Sequence, residues 1–297
     1  MKRSDLPPQG ELTPPSHFTL DYIDPPEPLA QLVTTFYHFR CDDAVIRDIQ
    51  PAAVGHLSLF PSGKGAMSLP DGGTDPSHRI NLLTPFAQAM PFEMAGPFHA
   101  VGAALTPLGW AGLTGMNAGE HANRLYDGAS VLDDASVANL LAACDAYRDD
   151  KADAQTLVNA LCAAIVANLK LPPRRYLDLI GTTVQWLSGS DAPEIDALYE
   201  ASAFSRRQTQ RLVERFFGLS PVALRRKYRA LRAAAAFARP DLTDEQADAM
   251  IDLFYDQPHM IHEIRHFAGR TPARLSGDDK PYVRELVDGK NLRELDG

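Results

Sequence analysis

The sequence predicts an α+β protein with a β-rich N-terminal part and an all-helical C-terminal part. Between residues 17 and 130, short apolar segments alternate with Pro and Gly, a pattern typical of a sandwich or barrel of short strands. After Ser136 the apolar residues fall at helical spacing instead. The hydrophobic fraction of 45% and the charged fraction of 23% are those of a globular protein.

Four segments are expected along the chain: a polar, Pro-rich, flexible leader (1–16), a β-rich domain with trailing helices (17–172), a helical domain (173–275) and a polar tail (276–297). Pro172 and Pro173 mark the main boundary, because consecutive prolines cannot continue a helix. Strands are predicted at Leu32–Arg40, Gly55–Pro61, Arg79–Pro85 and His99–Thr106, and helices within Ser136–Leu169 and at Tyr176–Leu187 and Ile195–Ala201.

A cytoplasmic location is expected. No apolar run is long enough to span a membrane, and the first 16 residues lack the apolar core of a secretory signal. The cysteines Cys41, Cys144 and Cys162 are scattered and odd in number, which suits a reducing compartment rather than a disulfide framework.

Charge is distributed unevenly along the chain. The whole sequence has a net charge of -9, but the segment 203–240 holds ten basic residues and one acidic residue. Residues 1–172, by contrast, hold 10 basic and 19 acidic residues. A basic segment on an acidic chain indicates one DNA-contacting surface beside a domain with another role. A merely solvated helix face is the alternative that charge alone leaves open.

An internal repeat supports the first interpretation. Two C-terminal stretches match at a fixed offset of 51 residues, each with a capping residue, an amphipathic helix, a glycine stop and a second capped helix. The matched pairs are Ser205/Asp256, Thr209/Met260, Val213/Ile264, Phe216/Phe267, Gly218/Gly269, Ser220/Thr271, Pro221/Pro272 and Leu224/Leu275. The pattern predicts two helix-turn-helix units, and the helix Ile195–Ala201 supplies the first arm of the first unit.

In the first unit, a buried stripe at i, i+3, i+4 and i+7 leaves Arg207, Gln210 and Arg211 on the exposed face. Arginine pairs with guanine and glutamine with adenine in the major groove, so these three residues are predicted to contact bases. In the second unit Gln257, His259, His262 and Arg265 are left to face the groove. Phosphate contacts are predicted for Arg206, Arg215, Arg225, Arg226 and Arg265.

A long helix is predicted between the units, from Pro221 to about Ala238. Its 18 residues give a length of about 27 Å, against about 34 Å for one turn of B-DNA. A stiff spacer of this length would place the two base-contacting helices in successive major grooves. The helix before the second unit, about Asp244–Asp252, is acidic, which indicates weaker DNA contact there or a surface for a protein partner.

The stretches FSRRQTQRLVERFFGLSPVALRRKYRALRAA (Phe204–Ala234) and LFYDQPHMIHEIRHFAGRTPARL (Leu253–Leu275) resemble the AraC/XylS family of transcription regulators. The family's aromatic-Asp-Gln-x-His signature stands here as Tyr255-Asp256-Gln257-Pro258-His259. The resemblance assigns base contact to Arg207, Gln210 and Arg211 in the first unit, and to Gln257, Pro258, His259 and His262 in the second. Leu253 departs from the family, which has glycine there, so a strained or differently shaped turn is expected.

The N-terminal half resembles the cupin-like sensor domains of these regulators through Arg47–Gly63 and Ala100–Gly115. The resemblance implies a regulator that binds double-stranded DNA, responds to a small-molecule effector and forms a homodimer through helices within Ser136–Leu169. RNA polymerase is a further candidate partner. No cofactor is expected, and the protein is not expected to be an enzyme.

Two alternatives remain open. A cupin-type domain can be a metal-dependent enzyme with a regulatory helical module, but His56, His78, His99 and His121 are isolated in sequence, and no metal site is predicted. His259, His262 and His266 have the spacing of ligands on one helix, although no further ligand is evident nearby. A helical module that has lost DNA binding and only contacts proteins is the second alternative.

Overall fold

A computed structural model describes residues 12–275. The predicted polar tail (276–297) and the first 11 residues of the predicted leader lie outside this range. The end of the leader is bound to the protein: Thr13 is buried and its backbone N–H donates to the carbonyl of Arg47 at 2.8 Å. Thr13 is therefore held by a contact with Arg47, although it lies in the segment predicted to be flexible, and the predicted boundary at residue 16 stays a prediction.

Eight strands within the described range form one antiparallel sheet in the order β1-β2-β7-β4-β6-β8, with β3 on β7 and β5 on β4. The strands β4 and β7 are long enough to pair along both of their halves, and β7 pairs with β2, β3 and β4. The strands are β1 Phe18–Ile23, β2 Val33–Cys41, β3 Val45–Gln50, β4 His56–Ser68, β5 Thr74–Pro76, β6 Ile80–Leu83, β7 Met90–Leu105 and β8 Leu125–Asp127.

Three helices cover one face of this sheet: α1 Pro107–Thr114, α2 Asp134–Arg148 and α3 Ala154–Asn168. Both α2 and α3 begin at an aspartate cap, Asp133 and Asp153, whose side chain accepts a backbone N–H. Their apolar stripes join the main core, in which Leu140, Leu161 and Trp110 are almost fully buried. We call residues 12–169 the sheet region.

The C-terminal helices follow the predicted pattern closely and form the helical region, residues 174–275. They are α4 Arg174–Ser188, α5 Ile195–Ala201, α6 Arg206–Phe217, α7 Pro221–Phe237, α8 Asp244–Asp252, α9 Gln257–Ala268 and α10 Pro272–Leu275. Two apolar clusters hold them: the N-terminal half of α7 packs with α4, α5 and α6, and its C-terminal half packs with α9. The α+β fold class, with strands followed by helices, is confirmed.

The caps and stops of the repeat are formed as predicted. Ser205 and Asp256 each accept a backbone N–H at the start of α6 and α9. Gly218 and Gly269 end these helices with φ of +82° and +78°, the left-handed conformation that favours glycine. Leu253, in contrast, has φ of −70°. The turn before α9 therefore needs no left-handed residue there, and the strain expected at this position is absent.

Candidate nucleic-acid interface

The exposed face of α6 carries the three side chains predicted to contact bases in the first unit. Arg207, Gln210 and Arg211 are all exposed. Leu212, Val213 and Phe216 are buried on the opposite face. Thr209 is fully buried with them, and its hydroxyl lies 2.8 Å from the Ser202 hydroxyl, so the polar group is satisfied inside the unit.

The second unit has the same construction on α9. Met260, Ile264 and Phe267 are buried, whereas Gln257, Pro258 and His262 are exposed. The His259 side chain is 38% exposed and its Nδ1 is buried without a hydrogen-bond partner among the described residues. Both helices therefore offer a polar face to solvent, and on α9 that face is less free.

The helix α7 connects the two units, and each of its halves packs against one of them. Leu224 and Tyr228 pack in the first unit's cluster, while Leu231 and Ala234 pack in the second unit's cluster. Arg232, at 18% side-chain exposure, donates to the carbonyl of Ser190 at 3.1 Å. The helices α6 and α9, which carry the residues predicted to contact bases, thus both pack against one continuous helix, α7.

The side chains predicted to contact phosphate fall into two groups. Arg215 and Arg265 are exposed. Arg206 is exposed too, but it pairs with Asp196 and its guanidinium lies 4.6 Å from the Tyr199 ring centroid. The other two make contacts inside the helical region: Arg225 donates to the Pro193 carbonyl at 3.3 Å, and Arg226 pairs with the Glu263 carboxylate.

Glu263 is a feature that sequence analysis missed. This carboxylate is 1% exposed and lies on α9 between buried and exposed positions. Because of the 51-residue offset, its equivalent in the first unit is Leu212, which is also buried. Comparison of the two repeats would have identified Glu263 as a charge at an apolar core position.

The sheet region contacts both units at equivalent places. The backbone N–H of Ala118 donates to the carbonyl of Arg215 at 2.7 Å, and that of Ala89 donates to the carbonyl of His266 at 2.9 Å. Arg215 and His266 are themselves related by the 51-residue offset. The last four carbonyls of a helix have no partner within it, and each of these bonds satisfies one such carbonyl, at the C-terminal end of α6 or of α9.

Two side-chain contacts also join the sheet region to the helical region. We call this contact between the two regions the junction. Asp48 of β3 pairs with Arg270, and both side chains are buried. Lys227 of α7 is also buried, and its Nζ donates to the Ala53 carbonyl at 2.9 Å. Since unpaired buried charges are costly, these pairings tie the orientation of the helical region to that of the sheet region.

A polar chain runs from this junction into the sheet. The Tyr37 hydroxyl lies 2.7 Å from the Ser58 hydroxyl and 3.3 Å from Nδ1 of His56. Burial and the nearby charge of Lys227 lower the pKa of His56 to about 4, and burial raises the pKa of Tyr37 to about 12. Both side chains are therefore neutral near pH 7.

A cavity of about 50 Å³ lies beside these hydrogen-bonded side chains, on the face of the sheet away from α2 and α3. Most of its lining is apolar and includes Phe60, Phe98 and Met94. Gln50 also lines it, is 7% exposed and makes no side-chain hydrogen bond to another described residue. An apolar wall with one unused amide is the composition of a small-molecule site.

The histidines do not assemble into a metal site in the described part of the chain. Within residues 12–275, no group of three or more His, Cys, Asp or Glu side chains has an arrangement that could hold an ion. His262 and His266 stack, with ring centroids 6.5 Å apart. The cysteines Cys41, Cys144 and Cys162 are free. No helix in this range is long and apolar enough to cross a membrane.

The chain is similar in structure to two proteins with known structures. ToxT from Vibrio cholerae aligns with 87% of this chain and 97% of its own, at 9% identity and a TM-score of 0.45. ToxT bound to an unsaturated fatty acid aligns with 88% of this chain and 95% of its own, at 7% identity and a TM-score of 0.42. The AraC-like transcriptional activator CuxR aligns with 73% of this chain and 86% of its own, at 12% identity and a TM-score of 0.31. No family model and no curated protein sequence matches the chain.

Proposed function

We propose that this chain is a sequence-specific, DNA-binding transcription regulator of the AraC/XylS type, acting in the cytoplasm and controlled by a small molecule. One observation carries the proposal: two equivalent helices, α6 and α9, each bury an apolar stripe and expose a polar face. Arginine, glutamine and histidine on these faces match the donor and acceptor groups of base edges. The exposure of Arg207 and Arg211 is what this role requires.

The proposed division of labour follows the two units. Arg207, Gln210 and Arg211 contact bases in one major groove, and Gln257, Pro258, His259 and His262 contact bases in the next. The phosphate contacts come from Arg206, Arg215, Arg225, Arg226 and Arg265. The first unit is the stronger binder, because α8 in the second unit is acidic and His259 is partly covered.

Selection of bound duplexes from a randomised pool tests the proposal directly. Purified full-length chain should enrich one sequence with two conserved blocks about one helical turn apart. Affinity for that sequence should exceed affinity for unrelated DNA by a factor of at least about 1,000 at physiological salt. Enrichment of no common sequence would reject the proposal and favour a module that contacts only proteins.

The effector is proposed to bind in the cavity beside Gln50. It is a mainly apolar molecule with one hydrogen-bonding group for the Gln50 amide, because an unpaired charge would be costly against this lining. The cavity is small, so the flexible Met67 and Met94 side chains would have to move to admit a ligand. Ligand binding then biases the junction with the helical region, since Gln50 shares β3 with Asp48.

A fluorescent neutral naphthol probe tests this site. We expect saturable binding that a Gln50→Leu variant weakens, together with a change in DNA affinity when the probe is bound. Equal binding by the variant and the parent chain would contradict the assignment of Gln50.

A homodimer formed through α3 completes the proposal, with RNA polymerase as a further partner. Val166 on the outer face of α3 is 61% exposed, and the neighbouring apolar residues Ala163 and Ala167 on this helix are exposed as well. Sedimentation of the parent chain and of a Val166→Glu variant would test this. A monomer at micromolar concentration in both would contradict the dimer.

A further inference from the structure

The second helix-turn-helix unit contains a buried carboxylate where the first unit has a buried leucine. Glu263 on α9 and Leu212 on α6 occupy equivalent positions, 51 residues apart. Glu263 is 1% exposed, so its charge must be balanced by groups inside the protein. The exchange of leucine for glutamate thus brings new partners into the second unit.

Those partners are two arginines of α7. Nε and Nη2 of Arg226 donate to the two Glu263 oxygens at 2.9 and 2.7 Å, a bidentate pair. Nη2 of Arg229 lies 4.0 Å from the same carboxylate. One negative and two positive charges are therefore gathered at the contact between α7 and α9, and a net positive charge remains.

The ion pair with Glu263 orients the Arg226 side chain but takes only some of its N–H groups. Arginine has five N–H groups, and the carboxylate takes two of them, which leaves three for another acceptor. The Arg226 side chain is 44% exposed, whereas that of Arg229 is 13% exposed. Arg226 therefore covers Glu263 and still presents donors to solvent in one defined orientation.

This orientation places Arg226 beside the exposed face of α9. Nε2 of His259 lies 4.0 Å from the Glu263 carboxylate, and Nδ1 of His262 lies 3.8 Å from it. The same carboxylate thus connects an arginine of α7 with the two histidines proposed to contact bases. A phosphate beside the groove occupied by α9 would meet the free N–H groups of Arg226.

We propose that Glu263 is a positioning residue for DNA, holding Arg226 in the orientation in which it contacts a phosphate next to the second unit. The inference rests on the proposed function, because it assigns a role within the DNA contact. It differs from simple charge neutralisation, in which Glu263 would mask Arg226 and weaken DNA binding. The two accounts predict opposite effects when the carboxylate is removed.

The test measures DNA affinity as a function of salt for the full chain and its Glu263→Gln variant. Each phosphate contact contributes about 0.9 to the slope of log affinity against log salt. Loss of the ordered Arg226 contact should make the slope shallower by about 0.9 and weaken binding to all sequences alike. Glu245→Gln, on the exposed face of α8, removes the same charge from the same unit and should leave the slope unchanged.

A double-mutant cycle with Arg226→Ala completes the test. If Glu263 acts through Arg226, the double variant should have the slope and affinity of Arg226→Ala alone. A steeper slope or tighter binding by Glu263→Gln would overturn the proposal in favour of masking, and additive losses would overturn it as well. A Glu263→Leu variant, which copies the first unit, provides a second measurement if its thermal melt shows a folded protein.

The salt slopes of the parent chain and of Glu263→Gln distinguish a failure of the positioning role of Glu263 from a failure of the proposed DNA binding. If the parent chain shows no salt-dependent binding to its selected duplex, both fail. If the parent chain binds with a clear salt slope and the Glu263→Gln slope equals it, only the positioning role of Glu263 is rejected.

Discussion

Asp48 in β3 and Arg270 after α9 form an ion pair buried between the sheet region and the helical region, across 222 residues of sequence. The two side chains are 4% and 6% exposed. Next to them, a Cβ atom added to Gly269 would come within 2.5 Å of the Ile49 side chain, so the backbone that ends α9 lies directly on β3. A change in the position of β3 would therefore alter the end of α9, a helix proposed to contact DNA.

Removing one member of this pair should be strongly destabilising. Arg270→Ala leaves the Asp48 carboxylate buried without its partner, a change that costs about 3–5 kcal/mol in comparable buried pairs. Urea unfolding measures the change in free energy. Arg274→Ala, at an exposed position in α10, is the matched control and should be close to neutral. A loss below about 1 kcal/mol for Arg270→Ala would show that solvent reaches Asp48.

The proposed base contacts of α6 should be distinguishable from phosphate contacts, because only base contacts depend on the DNA sequence. Arg207→Ala or Arg211→Ala should each cost about 1–3 kcal/mol of binding and relax the preference at one base pair. Competition between duplexes that differ at single positions measures both effects. Arg225→Ala should instead weaken all duplexes alike and reduce the salt slope by about one unit. A loss spread evenly over all sequences for Arg207→Ala would reassign that residue to the phosphates.

The cap of α9 can be tested by stability alone. The Asp256 side chain accepts the backbone N–H of His259 at 2.7 Å. Asp256→Ala should therefore destabilise the protein by about 0.5–2 kcal/mol. Thermal melts of this variant and of Ser205→Ala, the equivalent cap of α6, should shift in the same direction. An unchanged melting temperature for Asp256→Ala would mean that the cap does not form in solution.

Stability should also fall in mild acid because of His56. Its pKa is lowered to about 4 in the folded protein, against about 6.5 when unfolded, so folding favours the neutral ring. The stabilisation is complete above pH 6.5 and is lost as the pH falls toward 4, by about 2 kcal/mol at pH 5. Asn at position 56 can still face the Tyr37 hydroxyl but does not titrate. Urea unfolding at pH 7.5 and pH 5 should therefore show a smaller difference for His56→Asn, and an equal difference would assign the effect to other groups.

The helical region was predictable because its signals are local. The caps Ser205 and Asp256, the glycine stops and the 3.6-residue periodicity each lie within a dozen residues of the helix that they define. The repetition of the pattern at one offset strengthened every position. The bounds of α5 matched the predicted helix residue for residue.

The sheet region was less predictable, for a physical reason. The strand β7 begins at Met90, well before the predicted start at His99, and its first half pairs with β3, which lies 40 to 50 residues earlier in the chain, so no local pattern shows it. The helix α1 was hidden by its glycines. A Cβ atom at Gly109 would lie 1.9 Å from the Leu32 carbonyl oxygen, so packing against that loop rather than helix propensity determines the residue.

The candidate site was predicted in its exposed half only. Arg207, Gln210 and Arg211 were found because helix geometry alone decides which residues face outward. The helical repeat places Glu263 on the buried stripe of α9, but its partner Arg226 lies 37 residues away in another helix, so the ion pair could not be predicted from the local pattern. Whether these side chains contact bases or phosphates stays a prediction until the variants above are measured.

The backbone bonds from Ala118 and Ala89 to the ends of α6 and α9 have a consequence for excised fragments. A fragment that begins at residue 174 would lose both donors and expose two sets of helix-end carbonyls, together with the apolar surface beside Gly269. The distance between the two grooves that such a fragment can span would then be governed by α7 alone. Under the proposed function, a truncated version is therefore expected to accept a wider range of separations between the two halves of a binding site than the whole chain does.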